Sequence, residues 1–462
     1  MDKCQTGVQF QQIAYTLPMR TLIKDPLAIL ADNAKGGVVV EDSKIVECLD
    51  AGEVPTQLCD EIFDASECVV LPGLINTHHH FYQTLSRAYG PALDKELFDW
   101  LKALYPVWAN LTPKYLHVAT RLALAELLLS GCTTAADHHY VFPNGLDDAV
   151  DIQAAAAEEI AVRVTLTRGS MNLSVEEGGL PPRSVVQDRD TILQDSARVI
   201  DALHNPQAGS MIQIALAPCS PFSVTPEIMS DTAALAAQRG VRMHTHLAET
   251  ADENAFCLEK YGCRPLDYLE QVGWVNDNVW LAHGIHFNED EIARLGKAGV
   301  GIAHCPGSNM VLASGLCPGV DLENAGSPIG IGVDGSASED ASNLIQEVRQ
   351  ALLIQRLRYG AARVSHTDVL RWATAGAAAC LGRDDIGSIA VGKEADLVFF
   401  RLNEPRFSGS GDPLAALILC GAHRADHVMV GGEWRVVDRT IVNLDLAQLL
   451  AEHREAADAL TA

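Results

Sequence analysis

The sequence predicts an α/β fold: a (β/α)8 barrel of the TIM type with a small β-sandwich built from both chain ends. Three observations carry this. From residue 78 onward, short apolar strands alternate with amphipathic helices, giving eight βα units counted from Val69. Before this stretch and after it, short strands separated by turns replace the alternation. Histidine, glutamate and aspartate recur where the strands of the alternating stretch end.

Residues 1–20 show no period and are expected to form a loose end. Residues 21–70 read as short strands, among them Thr21–Ile23, Val38–Val40 and Lys44–Cys48, too few to bury a core of their own. The barrel is assigned to residues 71–385. Its strands are expected at Cys132–Asp137, Val162–Thr167, Met211–Ala217, Val241–His246, Val279–His283, Gly299–Cys305 and Pro328–Asp334, after a first strand beginning at Val69. Leu116, Ala119, Ala123 and Leu127 recur at helical spacing between the first two. Strand patterning returns in residues 386–440, at Gly387–Ile389, Leu397–Phe400, His427–Val430 and Trp434–Val437, and is expected to pair with residues 21–70. Residues 441–462 carry a terminal helix.

The totals exclude several classes. Of 462 residues, 60 are Asp or Glu and 34 are Lys or Arg, which disfavours a nucleic-acid partner or an anionic membrane surface. No run of about 18 apolar residues is present to span a membrane, and the first twenty residues lack the pattern of a signal peptide. The twelve cysteines are dispersed without a CxxC pair, as expected for reduced thiols in a cytoplasmic protein.

In a barrel of this type, chemistry gathers at the C-terminal strand ends. His78 and His80 stand two apart at the end of the first strand, so both imidazoles share a face and can meet one ion. The fifth strand ends in His244-Thr245-His246, followed by Glu249. His246 lies nearer the end and is taken as a ligand, with His244 deeper. The sixth strand ends in His283 and the eighth in Asp334. Three imidazoles and a carboxylate suit one Zn²⁺ and would also accept Fe²⁺.

Pro-Gly-Leu-Ile-Asn-x-His-x-His at 72–80, His-x-x-Glu at 246–249, His-Gly at 283–284 and Asp-Gly-Ser-Ala-Ser at 334–338 resemble the amidohydrolase superfamily, in its branch of nucleobase, pterin and triazine aminohydrolases. The resemblance covers nearly the whole chain. His78–Ser86, Leu127–Tyr140, Leu216–Thr225 and Val241–Thr250 are similar to bacterial 8-oxoguanine deaminases. The fourth strand ends in Ala217-Pro218-Cys219, without the lysine that binuclear members carry there, which favours one metal.

The resemblance implies a zinc-dependent hydrolytic deaminase of an oxopurine, 8-oxoguanine first, giving urate and ammonia. Guanine or isoxanthopterin deamination, or hydrolysis of an amino or chloro substituent on an s-triazine, are the alternatives on the same metal site. His78, His80, His246 and Asp334 are the expected ligands. Asp334 and His283 are expected to take a proton from water, and Glu249 to shuttle one to the ring nitrogen and the leaving amine. Substrate contacts are expected from Gln83, whose amide can pair with a lactam edge, from Cys219 lining the base, from Arg168 on an oxo group unless it serves a structural salt bridge, and from Trp108 or Tyr82 stacking on a flat ring unless these pack in the core. One of His138 and His139 is expected to face the pocket. His304 and Asn309 are expected to order the seventh loop, whose geometry Gly307 leaves open. The expected partner is a small heteroaromatic amine, and the resemblance implies a homodimer or larger homo-oligomer.

Overall fold

The computed structural model describes residues 19–462. The stretch expected to be a loose end lies almost wholly outside these residues. Eight parallel strands close a barrel: Leu74–Asn76, Cys132–Ala136, Arg163–Ser170, Ile212–Pro218, Met243–Leu247, Val279–His283, Gly301–His304 and Ile329–Ile331. Ile331 pairs with Asn76 to complete the ring. Every residue of seven of these strands is buried, and Ile212–Pro218 is partly open only at its first two positions. Such strands read as continuous apolar runs because a helix layer covers the outer face while side chains fill the lumen.

The first strand differs from the expectation. Cys68–Pro72 pairs antiparallel with Leu397–Arg401 in another sheet, and the barrel strand begins at Leu74. Gly73 makes the transfer: a Cβ there would stand 2.1 Å from Thr133 Oγ1 on the neighbouring barrel strand. The first strand therefore reaches the barrel only four residues before His78.

Two further sheets flank the barrel. One joins Lys44–Leu49, Gly37–Glu41, Arg20–Lys24 and Glu61–Asp64. The other has six strands and mixes the chain ends, placing Cys68–Pro72 and Ala28–Ile29 beside Leu397–Arg401, His427–Val430, Glu433–Val437 and Thr440–Ile441. Ile23, Val38, Val40, Val70, Leu397, Phe399 and Met429 pack in one buried cluster between them. Gly387–Ile389, expected as a strand, forms none, and Gly387 sits at φ +81°.

A helix absent from the expectation, Leu97–Trp108, caps the C-terminal end of the barrel. Its buried residues Leu97, Trp100, Leu101, Leu104, Tyr105 and Trp108 follow helical spacing. Pro106 interrupts the pattern near the end. The next helix, Pro113–Leu129, starts under a Thr112 cap with Pro113 in its first turn. The terminal helix Leu446–Thr461 packs against it, and His453 Nε2 lies 3.0 Å from Thr84 Oγ1 in the turn that follows the paired histidines.

A buried ion pair ties the barrel floor to the segment leading into the sheets. Arg383 donates from Nε and Nη2 to Asp385 at 2.7 and 2.6 Å, and the Gly209 amide donates to the same carboxylate at 2.7 Å. Burial pushes the Asp385 carboxyl up, but these donors overcome it and hold it below the usual carboxylate range. A depressed folded-state pKa stabilises above the unfolded value, about 3.9, and the contribution is lost as pH falls toward the folded value. Asp385→Asn is expected to cost about 3 kcal/mol at pH 7, with the difference narrowing below about pH 4. Urea unfolding of both proteins at two pH values checks this.

Candidate active site

The residues singled out at the strand ends converge. His78 Nε2 and His80 Nε2 each lie 3.2 Å from Asp334 Oδ1, and His246 Nε2 is 3.3 Å from His80 Nε2. A tetrahedral cation with donors at about 2.1 Å separates them by about 3.4 Å. His78 Nε2 is buried with no hydrogen-bond partner, an atom left over unless a cation takes its lone pair. The residues fit a divalent ion such as zinc.

Hydrogen bonds at the back of each ring leave the facing nitrogen free. His80 Nδ1 meets the His138 carbonyl at 2.7 Å, and His246 Nδ1 meets the Cys219 carbonyl at 2.7 Å. His78 Nδ1 meets His244 Nε2 at 2.8 Å, and His244 Nδ1 meets the Trp280 carbonyl at 2.8 Å. A carbonyl only accepts, so His244 is protonated at Nδ1 and must accept at Nε2. His78 then donates from Nδ1 and keeps its Nε2 lone pair. Thus His244, deeper on the strand, sets the tautomer of His78. Burial holds His78, His244 and His246 well below the ordinary histidine range, in the neutral form that binds metals.

Asp334, His283 and Glu249 surround the same space. His283 Nε2 lies 3.6 Å from Glu249 Oε2 and 3.8 Å from Asp334 Oδ2. Burial pushes the Asp334 carboxyl up, and only positive charge at the point it shares with His78 and His80, on a ring or on a cation between them, holds it well below its usual range. Glu249 goes the other way: burial, reinforced by the charge of Asp334, raises it well above the usual range. Two carboxyls in one site are thus driven toward opposite protonation states, the pattern that separates a base from an acid. The backbone turns sharply to present them, since Ala248, His283 and Asp334 have φ of 54°, 70° and 62°. Such left-handed residues cost about 1 kcal/mol each and concentrate at functional strand ends.

Several supporting residues escaped the sequence reading. The Glu253 carboxylate accepts the Ala248 and Glu249 amides at 2.9 and 3.0 Å, fixing the turn that carries Glu249. Thr250, three residues earlier, accepts the Glu253 amide, and Thr-x-x-Glu is the capping signal that marks the pair. Asp137 accepts the Phe81 amide at 2.7 Å and so holds the turn after His80. Ser338 donates to Asp334 Oδ2 at 3.3 Å.

A cavity opens over His80, His246, His283, Glu249 and Asp334. Gln83 and Cys219 line it. Gln83 Oε1 is buried without a partner, and Gly335 leaves it room, since a Cβ there would stand 1.9 Å away. Burial raises the Cys219 thiol to about 12, so it presents a neutral S–H. Trp108 does not reach the cavity: its Nε1 donates to Ser86 Oγ at 3.1 Å, and its ring packs against Tyr82. Trp100 and Tyr105, from the same capping helix, supply the aromatic wall instead, together with Tyr140 and Phe222. Arg168 is also outside. It donates to Asp195 Oδ2 at 2.7 Å and Gln187 Oε1 at 2.8 Å, and its guanidinium lies 4.0 Å from the centre of the Phe142 ring. It therefore joins the barrel wall to the helix layer.

His138 points into the barrel, whereas His139 packs against Tyr82 and Phe142. Asn309 Oδ1 meets His283 Nδ1 at 3.0 Å and orients that ring. His304 instead faces Gln355, at 3.3 Å. Gly307 is required by space: a Cβ would stand 2.5 Å from both Glu339 Cγ and Glu347 Oε1.

Known proteins resemble this chain. Residues 69–443 match the model of the Amidohydrolase family. The 8-oxoguanine deaminase of Pseudomonas aeruginosa is 63% identical over 446 residues, covering 96% of this chain and 99% of that protein. An isoxanthopterin deaminase from an unknown prokaryotic organism is 35% identical, covering 95% of this chain and 97% of its own. Among solved structures, the zinc complex of an atrazine chlorohydrolase from Arthrobacter aurescens TC1 superposes with a TM-score of 0.88 at 32% identity, covering 96% of this chain and 100% of that one. The chain belongs to the amidohydrolase family and is a metal-dependent hydrolase.

Proposed function

We propose that this protein deaminates an oxopurine by hydrolysis, with 8-oxoguanine as the substrate and urate and ammonia as the products. The observation that carries the substrate is the 63% identity, over 96% of the chain, to a protein of that activity. The cavity supports it. Trp100, Tyr105 and Phe222 offer flat apolar walls, and Gln83 offers an unsatisfied amide oxygen that can accept from a lactam N–H.

His78, His80, His246 and Asp334 hold one zinc ion per chain, a reading supported by the zinc complex of the related chlorohydrolase. When bound, the ion supplies a Lewis acid that makes water nucleophilic near neutral pH. The chain's own groups move the protons. Asp334, kept ionised, and His283, with its Nδ1 side held by Asn309, accept a proton from the attacking water. Glu249, kept protonated, donates to the ring nitrogen beside the amine-bearing carbon. It then takes the proton of the newly bonded hydroxyl and delivers it to the amino group, which leaves as ammonia when the C–N bond breaks, and the proton held by Asp334 and His283 returns to Glu249. Water has then supplied the new oxo group, and the ring nitrogen ends protonated.

The eleven described cysteines are free, which supports action in the reducing cytoplasm. No described helix is long and apolar enough to cross a membrane. We read the working form as a homodimer or larger homo-oligomer, as the family resemblance implies.

Incubation of the zinc-loaded protein with 8-oxoguanine, guanine, isoxanthopterin and a hydroxylated alkylamino-triazine tests the substrate. Release of ammonia or alkylamine is followed. 8-Oxoguanine is expected to lead by about a hundredfold in kcat/KM, equivalent to roughly 2.7 kcal/mol of transition-state discrimination. A lead by any other compound overturns the substrate and leaves the metal chemistry standing.

A further inference from the structure

We propose that Glu339 and Glu347 form a proton-sharing carboxyl pair, buried behind the reacting groups, that holds the loops after the seventh and eighth strands in register. Both are positioning residues, and the inference rests on the proton roles given above to Asp334 and His283.

The two carboxyls come from different elements. Glu347 lies in the first turn of the helix Leu344–Tyr359 and is fully buried, and Glu339 lies in the loop after Asp334 and is 6% exposed. They meet at Gly307, in the loop after the seventh strand. A Cβ on that glycine would stand 2.5 Å from both Glu339 Cγ and Glu347 Oε1, so these two atoms lie within twice that distance of each other. The Gly307 amide donates to Glu347 Oε2 at 2.9 Å, and the Ser342 amide donates to Glu339 Oε2. Glu347 Oε1 is buried with no partner.

No lysine, arginine or histidine among the described residues pairs with either carboxyl. Arg87 is taken by Glu126 and Ser336. Asp334, Asp340 and Glu126, which act on the pair, are acidic as well. Two buried carboxyls this close, without a cation, do not both ionise. Burial, reinforced by Glu339, holds Glu347 well above the usual carboxylate range, and burial raises Glu339 to about 7 against the Ser342 amide. A proton therefore stays with the pair at neutral pH, chiefly on Glu347. Protonation turns the orphaned Oε1 from an unsatisfied acceptor into a donor, and Glu339 is the acceptor beside it.

The pair stands behind both acceptors of the water proton. Asn309, two residues after Gly307, meets His283 Nδ1 at 3.0 Å. Ser308 Oγ donates to Ser338 Oγ at 3.0 Å, and Ser338, next to Glu339, donates to Asp334 Oδ2 at 3.3 Å. Parting the carboxyls therefore shifts His283 and Asp334 together, although neither glutamate lines the cavity.

Glu347→Gln keeps a neutral side chain that donates to Glu339 and accepts from Gly307. Glu347→Leu keeps most of the volume and loses both bonds. Infrared difference spectra of the zinc-loaded full chain, wild type minus Glu347→Gln, are expected to show the loss of a protonated carboxyl, with Glu249 common to both and cancelling. With 8-oxoguanine, Glu347→Gln is expected to keep kcat within about threefold, and Glu347→Leu to lose about thirtyfold in kcat at unchanged KM and zinc content, as small misplacements of reacting groups do. Gly307→Ala, whose Cβ must part the carboxyls, is expected to behave as Glu347→Leu does, and it decides the positioning role should Glu347→Leu fail to fold. Loss of a carboxylate band in place of the acid band overturns the proposal. So does a Glu347→Gln variant as slow as Glu347→Leu, or wild-type kcat in Glu347→Leu or Gly307→Ala. If the wild type releases no ammonia from 8-oxoguanine, the substrate reading falls; the variants are then compared on the compound that leads, and the infrared difference decides the pair without turnover.

Discussion

Glu249→Gln is expected to keep its metal and its fold and to lose about 10³-fold in kcat, the range that general acid–base groups supply. The amide has nearly the volume of the carboxyl, so the packing of the cavity is preserved. The lost property is the proton. Burial holds the Glu249 carboxyl well above its usual range, so it carries a proton into a cavity it shares with His283 and Asp334. Glutamine can donate a hydrogen bond to the ring nitrogen but cannot transfer the proton or recover it for the amine. Metal content by elemental analysis and ammonia release under saturating substrate separate the two properties. Activity within about tenfold of the wild type, with metal bound, would remove Glu249 from the proton path and leave His283 and Asp334 to carry it.

Asp334→Asn is expected to be more severe, because one carboxylate serves two ends. Asp334 Oδ1 lies 3.2 Å from both His78 Nε2 and His80 Nε2, while Oδ2 faces His283 Nε2 at 3.8 Å. Replacing the carboxylate by an amide removes the single negative donor among three neutral imidazoles. It can also turn an N–H toward lone pairs that need a cation. Zinc affinity should fall by at least about tenfold, as for other changes in the shell around a metal. Turnover at full metal loading should fall by about 10⁴-fold, because the proton acceptor goes with the ligand. Chelator competition and single-turnover assays at excess zinc measure the two losses separately. If the variant binds zinc as tightly as the wild type, Asp334 is a base alone and the carboxylate is not a ligand.

The donor set was legible because its signal is local. His78 and His80 share a strand face by parity alone, and His246, Glu249, His283 and Asp334 stand where strands end, as barrel chemistry requires. The substrate wall was not legible in the same way. Trp100, Tyr105 and Trp108 lie on one helix, and the sequence gives no means to tell which of them faces the cavity. The fold turns Trp100 and Tyr105 inward and sends Trp108 to Ser86. Arg168 stands near a strand end like the ligands, but both faces of a barrel strand are buried, so no alternation of polar and apolar residues reveals which face is the lumen. Asp195, 27 residues away on a helix, receives its guanidinium. The helix Leu97–Trp108 itself had a readable period, obscured by Pro106 and by the strong signals on either side.

By itself the sequence determined the barrel, the return of strands at both ends and the residues able to hold an ion, since spacing along one strand and one residue at each strand end suffice for those. Tertiary structure alone decided which nitrogen of each histidine faces its neighbours in the cluster, which aromatic rings line the cavity, and that Arg168 lies outside it. These outcomes depend on carbonyls of neighbouring strands, such as those of Ala217, Cys219 and Trp280, that accept one ring nitrogen and thereby free or commit the other. Such contacts join residues up to 79 positions apart, and no local pattern encodes them.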